Sequence, residues 1–190
     1  FCEKTQMYRP PRSHFDSVTR RVVLNMDHYC PWVANTVGFY NRKFFILFLV
    51  YTTLTTGYAA ASMYLWHDFE VGDEEKGSIL STLPGFAVLL DTVLCGTMVL
   101  FGGFHIKMAC FNETSIEPGS NCWGRSRYNV GVRSNVESVF GTNPWLWAIP
   151  IYGDGPVGDG VVWPTNDDFN GANLDRYGTL TDESALVVAH

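Results

Sequence analysis

A carboxylate, an imidazole and a thiol lie within the four positions that run from Asp27 through His28 to Cys30. A cysteine reacts as its thiolate, and a neighbouring histidine can generate the thiolate by taking the thiol proton. An aspartate beside that histidine can fix its tautomer and stabilise the imidazolium. The three side chains therefore have the types and the spacing of a nucleophilic site.

Two long apolar segments follow this run and are predicted to hold it at a membrane. Residues 44–66 carry no charged side chain, and as a helix they would span about 34 Å, enough for a hydrocarbon core of about 30 Å. Residues 79–104 carry one charge, Asp91, and membrane helices tolerate the proline and glycines of this segment. The alternative for each segment is a helix of a soluble core. A carboxylate inside a membrane span usually indicates a functional residue. For Asp91 we favour a helix–helix hydrogen bond.

Charge is distributed as in a membrane protein with both ends in the cytosol. The chain is 46% hydrophobic and 17% charged, and its formal net charge of −6 argues against nucleic acid as a partner. Basic residues precede the first segment and follow the second, whereas residues 67–78 hold five acids and one lysine. The positive-inside rule then places both ends in the cytosol, where the Cys30 thiol stays free. Because the chain lacks an initiating Met and a signal peptide, we expect a piece of a longer protein, with further spans before Phe1.

Three stretches, in order around the two apolar segments, resemble one known family. Residues 1–45 resemble the cysteine-rich domain of the DHHC-type protein S-acyltransferases, the polytopic palmitoyltransferases. Residues 105–117, HIKMACFNETSIE, resemble the family's Thr-Thr-x-Glu region. Residues 127–151, RYNVGVRSNVESVFGTNPWLWAIPI, resemble its C-terminal motif. The spelling Asp-His-Tyr-Cys is itself known in some fungal members of the family.

The resemblance implies a protein S-acyltransferase with acyl-CoA, such as palmitoyl-CoA, as co-substrate. Cys30 would take the acyl group as a thioester, with His28 as the general base and Asp27 orienting His28. The acyl group would then pass to a cysteine of a membrane-associated protein. Trp32 would lie near the acyl carbonyl, and the acyl chain would lie among the membrane helices.

Further residues are assigned weaker roles. Charge alone suggests that three basic residues attract the phosphates of CoA: Arg42, Lys43 and Arg133. Three residues of the later motifs are expected to be structural: Asn135, by satisfying buried backbone groups, and Thr114 and Glu117, through helix-end capping.

The chain departs from the family at its metal-binding positions. The resemblance implies two structural zinc ions, but an alignment leaves Cys2 as the one ligand in place. The other seven positions hold Thr5, Phe15, Asp16, Thr19, Val22, Tyr29 and Thr36. Threonine, valine and phenylalanine cannot replace thiolate or imidazole on zinc. We therefore expect a metal-free domain held by packing and hydrogen bonds. The alternative, a remnant site built from Cys2, His14, His28 and Cys30, would consume the catalytic groups.

The predicted fold is a mainly α-helical membrane protein with a small, irregular cytosolic domain that contains short β hairpins. Its expected parts are a catalytic module (residues 1–43), two spans (44–66 and 79–104), an acidic lumenal or extracellular loop (67–78), a cytosolic region with the C-terminal motif (105–151) and a flexible acidic tail (152–190). An endomembrane, such as that of the ER or Golgi, or the plasma membrane would suit such a protein.

Two other functions stay open. Loss of the zinc ligands could leave an inactive membrane scaffold that recruits client proteins, although a scaffold has no need of a nucleophile. A membrane thioesterase could use the same three groups, but it would need an activated water.

Overall fold

The structure is a computed structural model that describes residues 1–70, 79–117 and 126–166. The chain divides into two compact units. The first unit comprises Phe1–Phe45 with Ile106–His190, and the second unit comprises Ile46–His105.

Two short antiparallel hairpins form the N-terminal part of the first unit. Strand β1 (His14–Asp16) pairs with β2 (Arg21–Val23), and β3 (His28–Cys30) pairs with β4 (Asn35–Val37). In the first hairpin the Asp16 side chain accepts the backbone N–H groups of two turn residues, at 3.0 and 3.1 Å, a local bond that favours a turn. The predicted short hairpins are confirmed.

A tight contact joins the second hairpin to the residues that precede it. The backbone of Phe39 donates to Leu24 at 2.9 Å, and that of Asp27 donates to Val37 at the same distance. A Cβ at position 38 would lie 2.6 Å from the Val23 side chain, so the chain can approach this closely only at a glycine.

The described residues after the hairpins contain three α-helices, and the mainly helical prediction is confirmed. They are α1 (Arg42–Glu70), α2 (Ile79–Phe111) and α3 (Val132–Phe140). Two stretches, Arg42–Trp66 and Leu83–Phe111, are long and apolar enough to cross a membrane, with mean hydropathies of 1.6 and 1.9.

The helices run past the boundaries predicted for the spans. Helix α1 continues to Glu70, so the first residues of the predicted acidic loop are helical. The rest of that loop, residues 71–78, lies outside the described residues. Helix α2 likewise continues to Phe111, seven residues beyond the predicted end of the second span.

Small residues and a thiol mark the contact between the two helices in the second unit. The Cys95 thiol donates to the carbonyl of Thr53 at 3.5 Å, and a Cβ at Gly57 would lie 3.3 Å from the same sulfur. Close backbone approach at small residues is typical of helix pairs in membranes. Asp91, on α2, is half-buried, and its helix–helix hydrogen bond stays a prediction.

The C-terminal segment returns to the first unit. The Tyr152 ring stacks on Phe44 with 6.4 Å between centroids, and the Trp163 ring meets Phe39 edge-on at 5.7 Å. Two aromatic side chains of residues 152–166 therefore have packing partners that the glycine-rich composition did not indicate, and the flexible tail stays a prediction. The rest of the predicted tail, residues 167–190, lies outside the described residues.

Candidate active site

An aspartate and a histidine form a short contact at the start of β3. The Nδ1 atom of His28 lies 2.6 Å from Oδ2 of Asp27, whose side chain is completely buried. The His28 side chain is 26% exposed, and its ring meets Phe45 edge-on at 5.0 Å. In the tautomer that carries its proton on Nδ1, the imidazole donates to the carboxylate and has its basic lone pair on Nε2.

Strand geometry accounts for the two-residue spacing between His28 and the candidate nucleophile Cys30. Side chains alternate between the two faces of a strand, so His28 and Cys30 share one face of β3 while Tyr29 lies on the other. Cys30 is a free cysteine, is 4% exposed and pairs with Asn35 of β4. The spacing of histidine and cysteine is thus a consequence of local strand geometry.

Ser115 anchors the aspartate from a distant part of the chain. Its backbone N–H donates to Oδ1 of Asp27 and its hydroxyl donates to the backbone carbonyl of Asp27, both at 2.8 Å. Oδ1 of the carboxylate therefore accepts from Ser115, and Oδ2 contacts His28. The sequence-based predictions give Ser115 no role, although it lies between Thr114 and Glu117 in one short motif.

The two motif residues that were expected to be structural hold the same turn. Glu117 accepts the backbone N–H of Thr114 at 3.1 Å, just after α2 ends. Glu117 also binds Arg12 through two contacts, of 2.5 and 3.0 Å. These contacts agree with a capping role for Thr114 and Glu117, and that role stays a prediction.

Asn135 ties α3 to the end of α2. Its side chain is fully buried, donates to the carbonyl of Cys110 and the side chain of Asn129 at 2.7 Å, and accepts from the backbone of Val130 at 3.2 Å. A side chain that satisfies backbone groups in this way is what the predicted structural role requires.

The three basic residues predicted to attract CoA phosphates have different surroundings. Arg42 is 1% exposed and donates to the carbonyl of Glu113, and Lys43 is 5% exposed and donates to the carbonyl of Ile151 at 2.9 Å. Arg133, by contrast, is 72% exposed and pairs with Glu137 at 2.9 Å. Burial therefore favours a packing role for Arg42 and Lys43, and the phosphate contact stays a prediction that exposure supports for Arg133.

Trp32 is also exposed. It lies in the 3₁₀ turn Pro31–Val33 that directly follows Cys30, and it is 88% accessible. A large apolar side chain this close to the candidate nucleophile is available to contact a bound acyl group.

Three of the positions where the resemblance implies zinc ligands meet in a hydrogen-bonded cluster. Oδ2 of Asp16 accepts the hydroxyl of Thr19 at 2.5 Å and the hydroxyl of Thr36. Burial raises the pKa of the Asp16 carboxyl, but these two hydroxyls and two backbone amides lower it by more, so the pKa lies well below its ordinary value. Hydroxyls that donate to a carboxylate do not form a zinc site, which takes thiolate, imidazole or carboxylate ligands.

The one cysteine among the implied ligand positions lies in a backbone bridge. Cys2 pairs with Met7 through its backbone, 2.9 Å from N to O, in an isolated β-bridge. Within the described part of the chain, Cys2 and His14 do not gather with His28 and Cys30 into a group of metal ligands. The remnant site considered from the sequence therefore has no support in the geometry.

These features define a class of site. Cys30 ends a strand that begins at the Asp–His contact, and the described residues include two helices long enough to cross a membrane. These features fit the predicted thiol-nucleophile site of a membrane protein.

Comparison with known proteins identifies the family. The family model described as DHHC palmitoyltransferase matches residues 1–121. The chain is 37% identical to the probable protein S-acyltransferase 13 of Arabidopsis thaliana over 80% of this chain and 52% of that protein. It is 36% identical to the palmitoyltransferase ZDHHC15 of Xenopus laevis over 86% of this chain and 49% of that protein. The chain belongs to the DHHC palmitoyltransferase family, and it spans about half the length of these curated relatives.

Proposed function

We propose that this chain carries the catalytic module of a protein S-acyltransferase, which moves a fatty acyl group from acyl-CoA through Cys30 to a cysteine of a membrane-associated protein. The observation that carries the proposal is the Asp27–His28 contact of 2.6 Å on the strand that ends at Cys30. The names of the relatives, protein S-acyltransferase and palmitoyltransferase, support the same reaction.

The first half-reaction forms an acyl-enzyme. Nε2 of His28 takes the proton of the Cys30 thiol while Nδ1 stays bonded to Asp27. The thiolate attacks the carbonyl carbon of acyl-CoA, the bond from that carbon to the CoA sulfur breaks, and the CoA thiolate takes the proton from His28. Asp27 holds the imidazole in the tautomer that this exchange needs.

The second half-reaction runs the same chemistry in reverse. His28 takes the proton of the substrate cysteine, whose thiolate attacks the acyl carbon, and the bond to Cys30 breaks. The Cys30 thiolate then recovers the proton. One thioester replaces another in each half, so the site has to supply mainly positioning and a thiolate.

The apolar helices are proposed to supply the environment of the acyl chain. Burial of an acyl chain in an apolar environment contributes about 0.8 kcal/mol per CH₂. The charge asymmetry of the sequence supports a multi-pass membrane protein with the site on the cytosolic face, in an endomembrane or the plasma membrane. The domain boundaries predicted from the sequence stay part of this proposal.

Acyl labelling of the full-length protein tests the function. Purified protein is incubated with an alkyne analogue of palmitoyl-CoA, and labelled residues are mapped before and after hydroxylamine, which cleaves thioesters. We expect label on Cys30 and its loss with hydroxylamine. Cys30→Ala should abolish the label, whereas Cys95→Ala, which changes a cysteine of the second unit, should retain it. Equal labelling of Cys30→Ala would refute the proposal.

The same assay separates the two alternatives. A scaffold would show no label on Cys30 of the wild-type protein. A thioesterase would form the label but release it to water as free fatty acid, so that added substrate protein would not become acylated. Replacement of His28 by Gln should slow labelling by about 10²–10⁴-fold if His28 is the general base.

A further inference from the structure

Arg12 is a buried cation at the centre of the first unit. It is 7% exposed, and its guanidinium donates to both carboxylate oxygens of Glu117 and to the side chain and carbonyl of Asn112, at 2.5 to 3.0 Å. Its carbon Cζ also lies 4.4 Å from the ring centroid of Tyr128 and 4.2 Å from that of Trp163. A guanidinium bound in its plane and covered by aromatic rings is held in one orientation.

Arg12 is connected to the candidate catalytic pair through one turn. Its partner Glu117 closes the turn by accepting the backbone N–H of Thr114 at 3.1 Å. The next residue, Ser115, makes both hydrogen bonds to Asp27. A shift of Glu117 would therefore move the amide that holds the carboxylate of Asp27, and with it the partner of His28.

Trp163 reaches Arg12 from the C-terminal segment, beyond the residues that match the family model. The indole donates to the carbonyl of Gly160 at 3.2 Å. Three residues later the backbone N–H of Asn166 donates to the carbonyl of Arg127 at 2.8 Å. The segment is thus anchored to Arg127 just after the indole, and the local bond to Gly160 restricts how Trp163 can lie over Arg12.

We propose that Trp163 is a positioning residue for acyl transfer: by covering Arg12 it maintains the Arg12–Glu117 pair, and this pair sets the turn through which Ser115 orients Asp27. The C-terminal segment thereby contributes to a site whose reacting groups all lie on β3 or next to it. The inference rests on the proposed function, because it concerns the rate at which Cys30 becomes acylated.

Two substitutions of similar size separate the cation contact from simple packing. Trp163→Phe keeps an aromatic face for the guanidinium, whereas Trp163→Leu keeps apolar bulk without one. In full-length protein at saturating acyl-CoA, Trp163→Leu should slow single-turnover acylation of Cys30 about tenfold, and Trp163→Phe should stay within about threefold of wild type. The acyl-CoA concentration for half-maximal rate should not change. Trp145→Ala, which removes an 87% exposed tryptophan, is the matched control and should leave the rate unchanged.

A second measurement does not depend on activity. Because the Ser115 amide donates to Asp27, hydrogen exchange in residues 113–117 should accelerate in Trp163→Leu relative to Trp163→Phe and wild type. Faster exchange in Trp163→Leu supports the positioning role even if no variant, wild type included, labels Cys30; that absence of label would refute the proposed function alone. Equal exchange in the three proteins, or measurable acylation at equal rates in the Leu and Phe variants, would overturn the inference.

Discussion

Replacement of Asp16 by Asn should destabilise the two β hairpins of the first unit. The Asp16 carboxylate accepts from the backbone of Val18 and Thr19 and from the hydroxyls of Thr19 and Thr36. The contact with Thr36 joins the first hairpin to the second, at positions where the family resemblance implies zinc ligands. An amide keeps the shape of the side chain but offers one acceptor oxygen where the carboxylate offers two.

The size of the effect follows from the number of hydrogen bonds that are lost. A hydrogen bond to a charged group contributes about 1.5–3 kcal/mol, and Asp16→Asn weakens or removes at least two of the four. We therefore expect the free energy of unfolding to fall by about 3 kcal/mol, which is a fall of about 10 °C in melting temperature for a unit of this size. The matched control is Asp159→Asn, because Asp159 also accepts two backbone N–H groups but lies in an exposed turn.

The pH dependence gives an independent check on Asp16. Its pKa in the folded protein is lowered, so its contribution to stability is complete above the unfolded pKa of about 3.9 and is lost as pH falls below that value. The melting temperature of the full-length protein should therefore decrease more steeply below about pH 4 in the wild type than in Asp16→Asn. Parallel decreases in the two proteins would refute the assignment.

Metal analysis tests whether the cluster of Asp16, Thr19 and Thr36 replaces a zinc site. We expect well under about one zinc per chain, because the donor set does not suit the ion. A zinc chelator should therefore leave the melting temperature unchanged. Two tightly bound zinc ions per chain would contradict the hydrogen-bonded cluster of Asp16, Thr19 and Thr36.

The remaining predictions concern groups around the candidate site. Ser115→Ala removes the hydroxyl contact to Asp27 but keeps the backbone contact, so single-turnover acylation should slow about fivefold, whereas no change would show that the hydroxyl is dispensable. Lys43→Met removes the donor to the carbonyl of Ile151 and should lower the melting temperature without raising the KM for acyl-CoA. Arg133→Gln removes an exposed charge and should raise that KM by a few-fold without lowering the melting temperature; the opposite pattern in these two variants would reverse their roles.

Local patterns predicted the two long helices and brought the candidate catalytic residues to attention. The run of residues 44–66 indicated a long helix, because it is mostly apolar and carries no charged side chain. The two-residue spacing of His28 and Cys30 agreed with a shared strand face, and the adjacent Asp27 lies within reach of the imidazole. Such inferences succeed because they depend on residues that are neighbours in the chain.

Burial could not be predicted in the same way. Charge alone predicted that Arg42 and Lys43 attract the phosphates of CoA, yet both side chains are buried and donate hydrogen bonds to the carbonyl groups of Glu113 and Ile151. The glycine-rich stretch after residue 151 was predicted to be flexible, and Trp163 of this stretch packs against the distant Phe39. Composition records which groups a segment contains but not which partners the fold brings to it.

The sequence by itself determined the family, the two long apolar helices and the Asp27–His28–Cys30 set, since motif spelling and periodicity are properties of adjacent residues. Only the tertiary structure decided what surrounds that set. Ser115 meets Asp27 across 88 positions, and Trp163 meets Arg12 across an even longer stretch of chain. Contacts at such separations form only when packing brings distant segments together, so their partners are specified by the fold as a whole.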